Sequence, residues 1–403
     1  MKISVIPSSP DHLGNKLFVD KTVRDNVFVS YRFIKMEVEK RGWQIATFDQ
    51  LSFEEADMVL AFNFAAFPEA VLEALSHPGA VKMTAIVREP PEIIPLYYDN
   101  DIQQCFGQFF LPENTTPNNK NLFFLDFPVS PIHVNWLPFN EKKLLVSITS
   151  GKFKNFKGAL YAERVRAIKH FQSAIPEQFD MYGQGWILKR NLFSCFSPHR
   201  LFPCYKGTVF SKHETMRHYK FSLCYENSNN VYGYVSEKIF DSMLSGCVPI
   251  YLGAPDIEKY VPEACFIDRR KFVSDLEVEL FIRGMSKEEY ENYLIEIKKY
   301  LNSDSYLDRL PERYAKKILF FLDQKVKSES ENYNIEGYRK LTILAAMKRL
   351  RFGKIADKYK GAMLFIKHAR YDDWKKLSKV IVGLVFLKAG FTDIYTWIQM
   401  KKI

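Results

Sequence analysis

Several features are scarce in this 403-residue chain, and each absence narrows what it can be. The six cysteines, Cys105, Cys195, Cys204, Cys224, Cys247 and Cys265, form no Cys-x-x-Cys pair and no metal-ligand spacing. Several lie inside apolar runs such as FSLCYEN and GCVPIYLG, so they read as reduced, buried small hydrophobes, and structural zinc is not expected. No apolar run approaches the roughly 20 residues a spanning helix needs. The longest late one, VIVGLVFL at 380–387, is fenced by Lys379 and Lys388. The opening MKISVIP offers only a short apolar run before proline, too little for the core of a signal peptide, and predicts a first β-strand of a cytoplasmic protein. NTT at 114–116 then reads as a chance match to the glycosylation pattern. Neither GxxxxGK[ST] nor GxGxxG occurs, so neither a P-loop nor a dinucleotide fold is supported.

What is present is a folded, two-domain composition: 47% hydrophobic, 26% charged, and too long for one ordinary core. The charge is unevenly placed. Residues 337–403 hold 16 Lys/Arg against 4 Asp/Glu, and the rest of the chain 41 against 43. A near-neutral body with a basic appendage argues against nucleic acid as the partner. Apolar residues recur at helical spacing between those lysines and arginines, which leaves two readings open: a basic amphipathic tail on an anionic membrane surface, or a helical subdomain packed on the body.

Strand-like and helix-like segments alternate along the first 140 residues. KISVIP, WQIATFD, ADMVLAFNF and VKMTAIV read as strands; NVFVSYRFIKMEVEKRG and PEAVLEALSHPG read as helices stopped by glycine or Pro-Gly. The alternation restarts at KLLVSITSGK after the proline-rich FPVSPIHVNWLPFN, which predicts a second parallel sheet and a boundary near 140. The expectation is an α/β protein of two doubly wound domains facing a cleft, residues 1–140 and 141–332, followed by a basic helical tail at 333–403.

In the second domain KFSLCYEN predicts a buried strand, SEKIFDSMLSG a helix with apolar positions 239, 240, 243 and 244 on one face, and VPIYLG the next strand. The loop ENSNNVYGYV lies where such sheets bind ligands. Ser236 is the expected N-cap, which puts Glu237 and Lys238 in the first turn. A lysine there is unfavourable by a few tenths of a kcal/mol, unless an anion shares the helix end. With Tyr232 and Tyr234 to stack a base or sugar, and Glu226 and Asn227 at the strand end, the pattern suggests a nucleotide diphosphate held by side chains.

The stretch YKFSLCYENSNNVYGYVSEKIFDSMLSGCVPIYLGAPDIEKYVPEACFID resembles the signature of glycosyltransferase family 10, the α-1,3/4-fucosyltransferases, with Ser236 in place of the usual Thr and Tyr225 in place of Phe. The likeness is strongest over 203–272, reaches back to REPP, and is absent from the tail. It implies a GT-B fold of two Rossmann-like domains and transfer of L-fucose from GDP-β-L-fucose to a hydroxyl of a GlcNAc- or Glc-containing glycan, free or lipid-linked. By the resemblance Lys238 binds the donor diphosphate, Glu237 the ribose, Asn227 and Tyr234 line the pocket, and Lys206 stands where some members have arginine. Glu89, at a strand end before two prolines, resembles the catalytic base, with Glu92 next in line. No cofactor or metal is expected to be required, a divalent cation acting at most as a stimulant, and the inner face of a membrane is the expected place of work.

Two alternatives use other residues. Asp99 and Asp101 in YYDND could hold a metal on a different sugar nucleotide, or the fold could be a non-catalytic glycan- or lipid-binding module.

Overall fold

The computed structural model describes residues 1–19, 25, 28–77, 83–113, 121–132, 134–186, 202–325 and 334–352, with 361, 362, 365, 367–369 and 373. It divides into two compact units, one built around Met1–Thr22 and Phe28–Leu125 with chain from after Pro311, the other around Asp126–Leu310.

The first unit holds a six-stranded sheet of β1 (Lys2–Ile6), β2 (Gln44–Thr47), β3 (Met58–Phe62), β4 (Met83–Ile86), β5 (Gln108–Leu111) and β6 (Leu122–Phe124), in the order β2-β1-β3-β4-β5-β6 with every pair parallel. β3, β4 and β5 are buried at every position, as strands covered on both faces must be. The second unit holds β7 (Lys143–Ile148), β8 (Phe179–Tyr182), β9 (Tyr219–Tyr225), β10 (Val248–Leu252) and β11 (Ile267–Asp268), in the order β11-β10-β9-β7-β8, again all parallel. Counted from its own first strand, each sheet begins 2-1-3-4-5. The winding direction therefore reverses between β1 and β3 in one unit and between β7 and β9 in the other, and such reversals are where doubly wound sheets open a crevice at the strands' carboxyl ends.

The structure differs from the expected domain bounds in two places, each for a packing reason. The proline-rich 126–139 segment belongs to the second unit: Val129 is fully buried there and donates to the Arg309 carbonyl, and the Trp136 indole donates to the Leu244 carbonyl at 2.9 Å. The helix Pro311–Lys325 belongs to the first unit. Tyr314, Ala315, Ile318, Leu319 and Leu322 recur at helical spacing and are buried, the stripe packs on the helix Val29–Lys40, and Asp323 pairs with Arg41 at 2.7 Å.

The start of the basic tail also packs. The helix Ile335–Phe352 buries Leu341 in the first unit's core, and its cations find carboxylates: Lys340 on Asp99 and Asp101, Lys348 and Arg349 on Glu69. For this portion the packed-subdomain reading holds. Most of 353–403, including VIVGLVFL, lies outside the described residues, as do NTT at 114–116 and Cys195. Among the described residues no helix is long and apolar enough to cross a membrane.

Candidate active site

The strand-to-helix unit predicted around residue 225 is present. β9 ends at Tyr225, the helix Glu237–Leu244 follows, and its apolar stripe Ile239, Phe240, Met243 and Leu244 is buried. Gly246, at φ +64°, ends the helix. The first turn is built in an unexpected way. Ser236 occupies the N-cap position, but its side chain makes no capping bond. Its hydroxyl donates instead to Glu226 Oε2 at 2.8 Å, its backbone N–H donates to Glu226 Oε1 at 2.8 Å, and Lys238 Nζ donates to both Glu226 Oε2 and Ser236 Oγ at 2.8 Å. Glu226 is completely buried. Gly253 in the GAP turn makes room for it, since a Cβ there would overlap the Glu226 side chain and the Tyr251 hydroxyl.

Lys238 is therefore an ion-paired residue of the first turn. Burial pulls its pKa down, but Glu226 and Glu237 outweigh that and raise it. Because Ser236 does not cap, its side chain takes none of the first-turn N–H groups, and the Glu237 carboxylate accepts from its own backbone N–H. Glu237 is half-exposed. Burial would raise its carboxyl, yet Lys238 and Lys212, the latter 3.8 Å away, hold it well below the usual carboxylate range.

The sequence reading missed Arg164. It lies on the helix Tyr161–Ala174, is buried, and donates to the Tyr225 carbonyl, the Glu226 carbonyl at 2.7 Å and Asn227 Oδ1 at 3.0 Å, all neutral acceptors. Burial lowers its pKa, the surrounding phenols and carboxylates compensating in part. A signal was available: Arg164 shares the apolar stripe of Tyr161, Val165 and Ile168 at helical spacing, whereas Arg166 lies off it. Asn227 completes a chain, its Nδ2 donating to the Tyr234 hydroxyl at 3.3 Å. Tyr234 is buried edge-on against Phe127, so its ring is not a stacking platform; Tyr232 is the exposed one.

Arg164, Lys212 and Lys238 line one small cavity, of about 30 Å³, with Ile148 at the end of β7, Thr149 after it, and residues of β9. This is the β7/β9 reversal. The neighbouring loops close on each other through glycine: the Gly151 N–H donates to the Gln184 carbonyl, and a Cβ at Gly183, whose φ is +144°, would overlap the Thr149 carbonyl. Lys206 is not among the residues lining this cavity. Its Nζ lies 3.6 Å from Asp180, a carboxylate that also holds Lys143 and the Tyr219 hydroxyl. A larger cavity of about 650 Å³, between the helices Asp275–Gly284 and Lys287–Leu301, is lined by Glu289 and Glu296 and by no cation, the wrong chemistry for a phosphate.

In the first unit Glu89 follows β4 by three residues, at the carboxyl edge of the sheet, and its carbonyl accepts from the Tyr98 hydroxyl at 3.2 Å. Arg88 beside it is held between the rings of Tyr31 and Tyr314. The Tyr98 phenol is raised by burial and by the charges of Glu113, Glu92 and Glu89, which places three carboxyls around it. Glu113, two residues beyond β5, is itself raised, by burial first and then by Glu92. The Asp99/Asp101 pair is occupied structurally: Asp99 caps the helix Asn100–Gln103, and Lys340 binds both carboxylates at 2.7–2.8 Å.

Residues 140–333 match the model of glycosyltransferase family 10 (fucosyltransferase), C-terminal part. Among curated relatives, an α-(1,4)-fucosyltransferase of Arabidopsis thaliana is 42% identical over 73 residues, and the α-(1,3)-fucosyltransferase FucT of Helicobacter pylori is 42% identical over 64 residues. These alignments cover 18% and 16% of this chain and only 18% and 13% of the relatives. A solved α1,3-fucosyltransferase with GDP-fucose superposes over 83% of this chain and 92% of its own, with a TM-score of 0.51 and 17% identity. That likeness extends the shared architecture, two Rossmann-like parallel-sheet domains of GT-B type, beyond the matched residues to both units.

Proposed function

We propose that this protein is an inverting fucosyltransferase that moves L-fucose from GDP-β-L-fucose to a hydroxyl of a GlcNAc- or Glc-containing glycan, forming an α-1,3 or α-1,4 linkage. The observation that carries the donor half is the pair Arg164 and Lys238 at the start of the Glu237–Leu244 helix, whose N-cap serine makes no capping bond, beside the small opening at the β7/β9 reversal. A diphosphate there would take charge-assisted hydrogen bonds from both side chains and from first-turn N–H groups. The carboxylate of Glu237 would accept from ribose hydroxyls, and Asn227 and Tyr234 would hold Arg164 in place. The curated relatives and the family 10 match support a fucosyl donor.

In the reaction the acceptor oxygen attacks the anomeric carbon, the carbon–phosphate-oxygen bond breaks, and GDP leaves with the electron pair. The acceptor proton goes to Glu89. Lys238 and Arg164 stabilise the charge that develops on the leaving diphosphate, an effect strongest in the transition state. A second base has an observation of its own: Glu113, in the group of carboxyls around Tyr98, has its pKa raised by burial and then by Glu92.

Calorimetric titration with GDP, UDP, CMP and ADP, with and without Mn²⁺, tests the donor reading; metal-independent preference for GDP, lost in Lys238→Ala, is expected. UDP preference that requires Mn²⁺ would overturn it. Transfer from GDP-fucose to N-acetyllactosamine by Glu89→Gln and Glu113→Gln assigns the base: a drop of about 10²-fold or more in the first alone supports Glu89, and in the second alone moves the role to Glu113.

A further inference from the structure

Behind Glu237 stands a group of charged residues that the proposed chemistry leaves without a task. Lys212 opens the short helix Lys212–Met216, and its Nζ donates to Asp241 Oδ2 at 2.8 Å and lies 3.8 Å from Glu237 Oε1. Glu237 and Asp241 are one helical turn apart, so one ammonium reaches both. Asp241 is itself fixed. Its Oδ1 lies 3.5 Å from Nε2 of the fully buried His213, whose Nδ1 shares a hydrogen bond with Ser245 Oγ at 3.2 Å. Lys212 is thus held at the cavity wall by a carboxylate that is itself buried.

We propose that Lys212 is the positioning residue for Glu237, and that the pair makes the cavity discriminate a ribonucleoside diphosphate from its deoxy forms. This rests on the donor reading above. A carboxylate recognises a sugar hydroxyl only while it is ionised and aimed; otherwise it competes with the phosphate-binding cations for their charge. Lys238 and Lys212 together keep Glu237 ionised; Lys238 is hydrogen-bonded to Glu226 and Ser236, whereas Lys212, anchored on Asp241, approaches Glu237 from the helix Lys212–Met216. The other charges facing Glu237 are Lys238 and Asp241 on its own helix and Arg164 from the helix Tyr161–Ala174.

The test is calorimetric binding of GDP, 2′-deoxy-GDP and 3′-deoxy-GDP to the full chain and to Lys212→Met and Lys212→Arg. Wild type should prefer GDP over at least one deoxy form by on the order of tenfold or more, the size of a hydrogen bond to a charged group. Lys212→Met should reduce that preference to about threefold or less while binding the deoxy form nearly as before, and Lys212→Arg should restore it. If Lys212→Met does not fold, Asp241→Asn, which frees Lys212 at nearly constant shape, must loosen the discrimination in the same way. Equal loss for all three ligands would make Lys212 a phosphate-binding cation and overturn the proposal, as would unchanged discrimination. If wild type binds no GDP at all, the donor reading itself fails, and this inference with it.

Discussion

Glu226→Gln is the most informative single change in the second unit. The native carboxylate is completely buried and accepts three hydrogen bonds of 2.8 Å, from the Ser236 N–H, the Ser236 hydroxyl and Lys238. Glutamine keeps the shape and one oxygen, which can still serve the Ser236 N–H. The other position becomes an NH₂ that faces a hydroxyl and an ammonium. Serine can rotate and accept; lysine cannot, and its charge loses its partner. Breaking a buried pair by removing one member costs about 3–5 kcal/mol, and because the Lys238 side chain is 26% exposed and can turn toward water, the lower end, about 3 kcal/mol, is expected. Chemical denaturation followed through Trp136 and Trp186, both in the second unit, reads this loss where it occurs. Glu226→Gln combined with Lys238→Met removes both charges, and the double variant should be more stable than the sum of the single losses by more than 1 kcal/mol or so. A single-variant cost under about 1 kcal/mol with no coupling would reduce the pair to the worth of a surface salt bridge and refute the account of how the helix start is held.

Three further outcomes follow from the same structure. Lys142 is buried on the Gly246 carbonyl and the Tyr290 hydroxyl, and burial brings its pKa from 10.5 to about 8. From pH 8 to 10.5 the unfolded chain therefore holds the proton that the folded one has released, so this group makes stability rise with pH, by on the order of 1 kcal/mol between pH 8 and 9; denaturation curves of Lys142→Met should lack that rise. Asp99→Ala removes a helix cap and the Lys340 pair, both partly exposed, and should cost about 2 kcal/mol in denaturation while leaving GDP affinity unchanged. If the tail binds an anionic membrane surface, the residues after 352 are expected to contribute most, because Lys340, Lys348 and Arg349 are paired with carboxylates of the first unit. Vesicles containing phosphatidylserine should then sediment the full chain in a salt-sensitive way and a chain ended at 352 much less, and equal sedimentation of both would refute this.

Much of the fold was legible because its signals are local. Apolar runs bounded by glycine and proline gave β1, β7, β9 and β10, and the 239, 240, 243, 244 spacing gave the face that the site helix buries. The lysine at the wrong end of that helix was legible as an anomaly. Its partner was not, since Glu226 sits twelve residues earlier across a loop, and nothing in local spacing says that the loop returns Ser236 to the end of β9. The same reason hid the return of Pro311–Lys325 to the first unit: an amphipathic stripe declares that it will be buried, not against which sheet. For Lys206 and Tyr234, residue type and motif position suggested ligand contact; the structure adds that Lys206 lies near Asp180 and that the Tyr234 ring packs edge-on against Phe127.

The two lysines at opposite ends of the Glu237–Leu244 helix show which electrostatic effect governs here. The helix dipole disfavours a cation at the start and favours one at the end, by about 0.3–1 kcal/mol. The pKa directions run opposite to that: Lys238, at the start, is raised, and Lys142, on the carbonyl just past the end, is lowered to about 8. Burial opposes both charges. Only Lys238 has a buried carboxylate to answer it, and an interaction of several kcal/mol overrides a dipole of a few tenths. The consequence is a separation in pH. As pH rises past 8 the protein should lose the Lys142 proton while Lys238 stays charged, so GDP affinity should hold through pH 9 even as folding stability changes. A fall in GDP affinity that tracks a group near 8, persisting in Lys142→Met, would mean that Lys238 is not the cation the diphosphate meets.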